Sequence, residues 1–191
     1  VSVNPVRTGY SAIADEWIPI RPGTDGLLAM SIVHVLLSRE LFDYEFLIRY
    51  TNSPWLVVQT PGKVGDGLFL RDADNNPLVW DLEKQTFVSG ADADIAPALF
   101  GEFTAPDGRQ VKTVMSLTAE RYLDERYSPA NVARECGVSA EAIERMALEM
   151  AHVAFKETVE LDIEWTDIYG RNITTRKSLE NASSILRTLS V

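Results

Sequence analysis

Two short stretches near the start of this 191-residue chain hold residue types that could recognise a nucleotide. In Gly23-Thr24-Asp25, a single carboxylate could accept the N1–H and 2-amino group that guanine presents side by side. Adenine lacks that donor pair, so an aspartate there would discriminate between the purines. Gly23 would let the backbone come close to a ligand. In Asn4-Pro5-Val6-Arg7, Asn4 can hydrogen-bond a nucleotide edge or ribose, and Arg7 offers a forked cation for phosphate. Each stretch also has a plainer reading. An aspartate at a helix start caps free N–H groups and favours the positive end of the dipole. An asparagine before proline forms an Asx turn beside a solvent-facing arginine.

The elements that must position these residues follow from the local pattern. Val1-Ser2-Val3 reads as the end of a strand, Asn4–Arg7 as the turn leaving it, and Thr8–Ala14 as about two helical turns. Trp17–Ile20 reads as a second apolar strand. Pro22-Gly23 breaks the chain, and a helix apolar on nearly every side runs from Thr24 to Arg39. Strand–turn–helix repeated twice is the rhythm of a parallel, Rossmann-like α/β sheet flanked by helices. In such sheets ligands sit beyond the carboxyl ends of the strands, where loops feed helix N-termini.

Further on, Asp43 can cap a short helix through Tyr50, and Trp55–Val58 reads as a strand. Between residues 61 and 114, short apolar runs alternate with turn clusters at Asp72–Pro77 and Ala105–Gly108. This predicts a β-hairpin region inserted into an α/β domain spanning residues 1–160. Three helical pieces are expected over Ser116–Ala154 and one more strand over Glu157–Trp165. Residues 161–191 read as a polar tail or linker toward a next domain. With no initiator methionine and a strand already under way at Val1, the chain is expected to be a fragment of a longer polypeptide, or a processed or engineered product.

Composition narrows the function classes. The formal charge is −10, and an acidic surface repels phosphate backbones and anionic lipid, which argues against nucleic-acid and membrane-surface partners. The single cysteine, Cys136, excludes an internal disulfide and any multi-cysteine cluster. No apolar run approaches the ~20 residues of a membrane span. Asp72, Asp74, Asn76 and Glu83 fall at calcium-loop spacing, but Pro77 stands where that loop needs glycine. Ser128–Met150 has helix-turn-helix spacing, yet its second helix opens on Ala140-Glu141-Ala142-Ile143-Glu144, which would set carboxylates against phosphates. A packed helical hairpin is the simpler reading. His34 and His152 have no second ligand at metal spacing, and Cys136 reads as a small buried hydrophobe.

The stretch VSVNPVRTGYSAIADEWIPIRPGTDGLLAMSIVH, Val1–His34, resembles the part of molybdopterin oxidoreductases of the dimethyl sulfoxide reductase family that binds a guanine dinucleotide cofactor. It has the strand ending in an aspartate-proline-arginine-like turn, the Ala14-Asp15 pair and the Pro-Gly-Thr-Asp signature opening a helix. With TNSPWLV and IEWTDIYGR further on, it is most similar to the sulfur-compound branch, the sulfite dehydrogenase-like and thiosulfate- or polysulfide-reductase-like catalytic subunits. The resemblance implies that Asn4, Pro5, Arg7, Gly23, Thr24 and Asp25 hold the guanosine end of a molybdopterin guanine dinucleotide. Asn4 replaces the more usual aspartate, which changes the charge of that contact and not its place. It further implies a bis-pterin molybdenum centre and an iron–sulfur cluster held by other segments. The implied partners are the remaining domains of the catalytic chain, together with separate iron–sulfur electron-transfer and membrane-anchor subunits, on either the cytoplasmic or the periplasmic side. Two other classes fit the same loops and helices: a non-catalytic nucleotide-binding module, and an acidic helix-turn-helix interaction protein.

Overall fold

The computed structural model describes residues 1–160, 163–166, 172–175 and 178–180. In chain order the elements are β1 (Ser2–Val3), β2 (Trp17–Ile18), α1 (Asp25–Ser38), α2 (Tyr44–Tyr50), β3 (Leu56–Val58), β4 (Leu78–Asp81), β5 (Thr86–Ser89), β6 (Glu102–Thr104), β7 (Gln110–Thr113), α3 (Val114–Tyr122), α4 (Pro129–Cys136) and α5 (Ala140–Lys156), followed by β8 (Thr158–Glu160), β9 (Ile163–Thr166), β10 (Asn172–Thr175) and β11 (Ser178–Glu180). The chain is thus α/β. It forms two compact units, one of Asp43–Asp124 and one of Val1–Phe42 with the chain from Glu125 onward.

In the unit that begins at Val1, β1 and β2 pair in parallel, Ser2 opposite Trp17 and Val3 opposite Ile18. Among the described residues this is the one parallel ladder, and every other pairing is antiparallel. The wider parallel sheet expected from the strand–helix rhythm is therefore represented here by two strands. Their crossover holds no α-helix. Thr8–Ala14 contains a four-residue 3₁₀ turn, Gly9–Ala12, because Thr8 is extended and offers no side-chain cap, while Gly9 sits at φ +53°. Neither is a way to nucleate an α-helix.

Three helices build the core of this unit. α4 buries Pro129, Val132 and Cys136, and α5 buries Ile143, Met146, Ala147 and Ala151. Both are i, i+3, i+4-type stripes. They pack on α1 around Ile18, Ile20, Leu28 and Val138. Complete burial of Val132 and Ile143 stabilises the fold by roughly 1.5–3 kcal/mol per side chain. α1 is less enclosed than its composition suggests: only Leu28, Ser31 and Val35 are fully buried, the single stripe facing the other two helices. α5 starts where Ser139 Oγ accepts the Ala142 N–H at 3.2 Å, and α4 stops at Gly137, whose left-handed backbone (φ +79°) suits glycine. Beyond α5, β11 pairs with β8 and β10 with β9. The expected tail over residues 161–191 otherwise lies outside the described residues.

The Asp43–Asp124 unit is mostly antiparallel, with a β3-β7-β6 sheet and a β4–β5 hairpin. Leu56, Val58, Leu70, Ala105 and Val111 form its core, with Leu78, Phe87 and Phe103 against them. Trp80 stacks on Phe103 with ring centres 4.7 Å apart and meets Phe87 edge-on at 5.0 Å. Asp43 caps α2 through the Phe46 N–H at 2.8 Å. The cap and the hairpins stand where turn chemistry predicts them. Among the described residues no helix is long and apolar enough to cross a membrane.

Candidate functional site

Both candidate loops leave the same end of one parallel ladder. Asn4 follows β1, and its N–H donates to the Ile18 carbonyl at 3.2 Å, prolonging the pairing by one residue. Gly23–Asp25 follow β2 by way of Pro19–Pro22. Parallel register alone therefore places Asn4–Arg7 and the start of α1 at the carboxyl edge of neighbouring strands, where helix N-termini and loop amides gather.

Within the first loop, Asn4 Oδ1 accepts the Val6 N–H at 3.1 Å, an Asx turn. The Asn4 carbonyl accepts from the Trp17 indole N–H at 2.8 Å. One side-chain oxygen is thus committed to the turn, and the side-chain NH2 has no partner among the described residues. Pro5 is exposed and stiffens the turn. Arg7 is exposed, and among the described residues no carboxylate or carbonyl meets its guanidinium.

In the second loop Gly23 is exposed at φ +81°, and a Cβ added there would meet nothing within 4 Å. Space stands open beside this backbone. The Thr24 hydroxyl donates backward to the Arg21 carbonyl at 2.7 Å, so it does not cap α1. Asp25 is the first residue of the helix and is exposed. No backbone N–H among the described residues reaches its carboxylate. Its charge still favours the positive helix end, but hydrogen-bonded capping is not what holds it. The first turn of α1 thus presents amides and a carboxylate that no neighbouring side chain occupies.

Three supporting residues are invisible to local sequence patterns. The Trp17 indole ties down the first loop. Arg21 Nη1 donates to the carbonyls of Arg134 at 2.8 Å and Glu135 at 3.1 Å, the C-terminal end of α4. Arg145 on α5 bonds Glu16, just before β2, at 2.5 Å and Glu149 at 3.0 Å. The Glu16 hydrogen bond, chiefly, and the Glu149 contact raise the guanidinium pKa further above its already high value. The partners of Arg21 and Arg145 lie 113 and 129 residues away in sequence, and no spacing rule links them.

The remaining candidates resolve simply. Asp72 accepts the Asp74 and Asn76 N–H groups at 3.0 and 2.8 Å and the Asn76 side-chain amide at 3.2 Å. Both its oxygens serve a tight turn. Among the described residues no three His, Cys, Asp or Glu side chains are placed to hold a metal ion. Cys136 is fully buried, and His152 faces Glu157 at 3.8 Å. The helix-turn-helix segment is the α4–α5 hairpin, its apolar faces spent on α1.

No family model matches the chain. Among individual proteins, a sulfite dehydrogenase subunit of Allochromatium vinosum is 43% identical over 178 residues, covering 88% of this chain and 18% of that protein. The putative catalytic subunit of a dimethyl sulfoxide reductase from Halobacterium salinarum is 35% identical over 150 residues, covering 77% and 18%. The alpha subunit of perchlorate reductase from Dechloromonas aromatica is 28% identical over 192 residues, covering 79% and 20%. The chain therefore spans about a fifth of the length of these relatives.

Proposed function

Because the chain belongs to the dimethyl sulfoxide reductase family of molybdopterin oxidoreductases, its relatives being catalytic subunits, we propose that it is the segment of such a protein that anchors the guanosine end of a molybdopterin guanine dinucleotide. The observation that carries this reading is the pairing of β1 with β2. It delivers an exposed arginine and an exposed, unbonded aspartate to one edge, beside open space at Gly23.

The residues present suit that group. Asp25 offers two acceptor oxygens to the guanine N1–H and 2-amino group, a charge-assisted pair. The uncapped amides of the first turn of α1 and the guanidinium of Arg7 suit the diphosphate. Pro5 and the Asx turn of Asn4 hold the first loop in one shape, and the free Asn4 amide can donate to the ribose or base. When bound, the molybdenum–pterin group supplies two-electron chemistry on a small substrate. The chain's own part is to hold and orient the far end of that group. The 43% relative is a sulfite dehydrogenase, which supports a small inorganic sulfur compound as substrate of the whole subunit. The metal ligand, an iron–sulfur cluster and electron-transfer and membrane-anchor subunits then belong to other segments and chains. In this reading residues 1–160 form the nucleotide-binding domain.

Asp25→Asn in the full-length subunit tests the proposal. The substitution exchanges one acceptor for a donor and leaves a guanine N–H unsatisfied, which costs roughly 1–3 kcal/mol. Affinity for the guanosine end should fall about tenfold or more, while the melting temperature of the cofactor-free protein holds. Full occupancy with unchanged release kinetics in the variant would remove Asp25 from the site.

A further inference from the structure

The turn that presents Asp25 has little of its own to hold it. A Cβ at Gly23 would meet nothing within 4 Å, and Thr24 makes no side-chain cap. Among the described residues, the hydrogen bonds tying Pro22–Asp25 to the rest of the unit, apart from those of α1 itself, converge on Arg21. Its carbonyl accepts the Thr24 hydroxyl at 2.7 Å and the Thr24 N–H at 3.3 Å. Its own N–H donates to the Cys136 carbonyl at 2.9 Å. Its guanidinium takes the carbonyls of Arg134 and Glu135. Three successive carbonyls at the end of α4 are thus occupied by one residue, at the helix end where a cation is favoured. The Arg21 side chain lies against Gly137, where a Cβ would be in ordinary contact 3.5 Å from Arg21 Cγ, and the left-handed backbone there suits glycine. No carboxylate among the described residues pairs with Arg21, so its side chain is committed to this clamp.

Resting on the nucleotide-anchoring reading above, we propose that Arg21 is the positioning residue of the guanine site. It uses the end of α4 as a fixed abutment to set the angle at which Asp25 and the first turn of α1 meet the base. The α4–α5 hairpin, with its helix-turn-helix spacing, is then the support of the nucleotide loop. The clamp acts on orientation, so its loss should erode the choice of guanine over adenine as well as affinity. A bond that only stabilised the fold would change neither in molecules that remain folded.

The experiment uses the full-length subunit, freed of cofactor and titrated with GDP and with ADP, alongside its melting temperature. Arg21→Met should weaken GDP binding about tenfold and shrink the GDP:ADP preference by a similar factor. Arg21→Lys, which keeps the cation and three donors, should recover much of both. Arg39→Met, which deletes the exposed pairing with Glu144 on α5, controls for general loss of an arginine and should leave the preference alone. Wild-type affinity and preference in Arg21→Met, with both lost in Asp25→Asn, would overturn the clamp and leave the site standing. If wild type and Asp25→Asn bind GDP and ADP alike, the site itself fails, and the clamp's role with it.

Discussion

The two units of the molecule spend their aspartates differently. In the Asp43–Asp124 unit, four loop and strand-end aspartates turn back on nearby backbone. Asp66 accepts the Thr60 N–H, Asp72 those of Asp74 and Asn76, and Asp107 that of Arg109. Asp81, with no exposed surface, accepts the N–H groups of Glu83 at 2.9 Å, Lys84 at 2.8 Å and Ala96 at 3.3 Å. In the unit that begins at Val1, Asp25 stands one residue inside α1, past the Thr24 cap position, and accepts no backbone N–H among the described residues. The same side chain is a structural pin in one unit and an unspent acceptor in the other. Counting backbone donors per carboxylate marks the four pins, and Asp25 is set apart from other unbonded aspartates by its place beyond the carboxyl edge of the β1–β2 ladder.

The sharpest way to test that contrast is to remove the most heavily used pin. Asp81→Ala removes a buried carboxylate that three backbone N–H groups share, two of them in the exposed turn after β4. We expect the largest loss of stability here, a fall in melting temperature of several degrees, with faster hydrogen exchange across β4 and β5. GDP affinity should be untouched. Unchanged exchange at Val79 and Val88 would break the comparison from the structural side.

Arg7→Ala probes the opposite case. An exposed side chain without a partner adds nothing to stability, so the melting temperature should hold. A charge-assisted phosphate contact should cost roughly 1.5–3 kcal/mol, about tenfold or more in GDP affinity, and should flatten its salt dependence. A salt dependence identical to wild type would place the phosphates elsewhere.

Acid should separate the pinned carboxylates next. The N–H of Lys84 above all, with those of Ala96 and Glu83, holds the Asp81 carboxyl below its usual range against the opposing effect of burial. The Arg109 guanidinium does the same for Asp107. A folded pKa below the unfolded one gives stability that is present above about pH 4 and is lost as pH falls through the folded value. Urea midpoints measured from pH 5 to pH 2 should fall in this window, and Asp81→Asn should flatten that limb. An equally steep limb in Asp81→Asn would assign the acid sensitivity to other groups.

The smallest effect is expected for Gly23→Ala. The added Cβ meets nothing, so the cost is backbone strain alone, roughly 1–2 kcal/mol for a left-handed residue. Calorimetry would register this as a slight drop in melting temperature. A drop as large as that of Asp81→Ala would mean that the space beside Gly23 is filled.

What this sequence determined by itself is what depends on neighbours within about four residues. Asp43 capping α2, Ser139 capping α5, Gly137 ending α4 and the Asp107-Gly108 turn are all legible, because donor and acceptor lie one helical turn or one hairpin apart. The positions of the two candidate loops are legible for the same reason, since Pro5 and Pro22-Gly23 must interrupt their strands. Thr8–Ala14 shows the limit even of local reading: its length admits a helix, but an extended Thr8 and a left-handed Gly9 leave a single 3₁₀ turn. Tertiary structure decided the rest. Parallel register brought Asn4 and Asp25 to one edge, packing selected the one stripe of α1 that is buried, and Arg21 and Arg145 found partners more than a hundred residues away. Those contacts form only after β2 and the α4–α5 hairpin have met on α1, since the apolar core and not the hydrogen bonds brings such distant segments together.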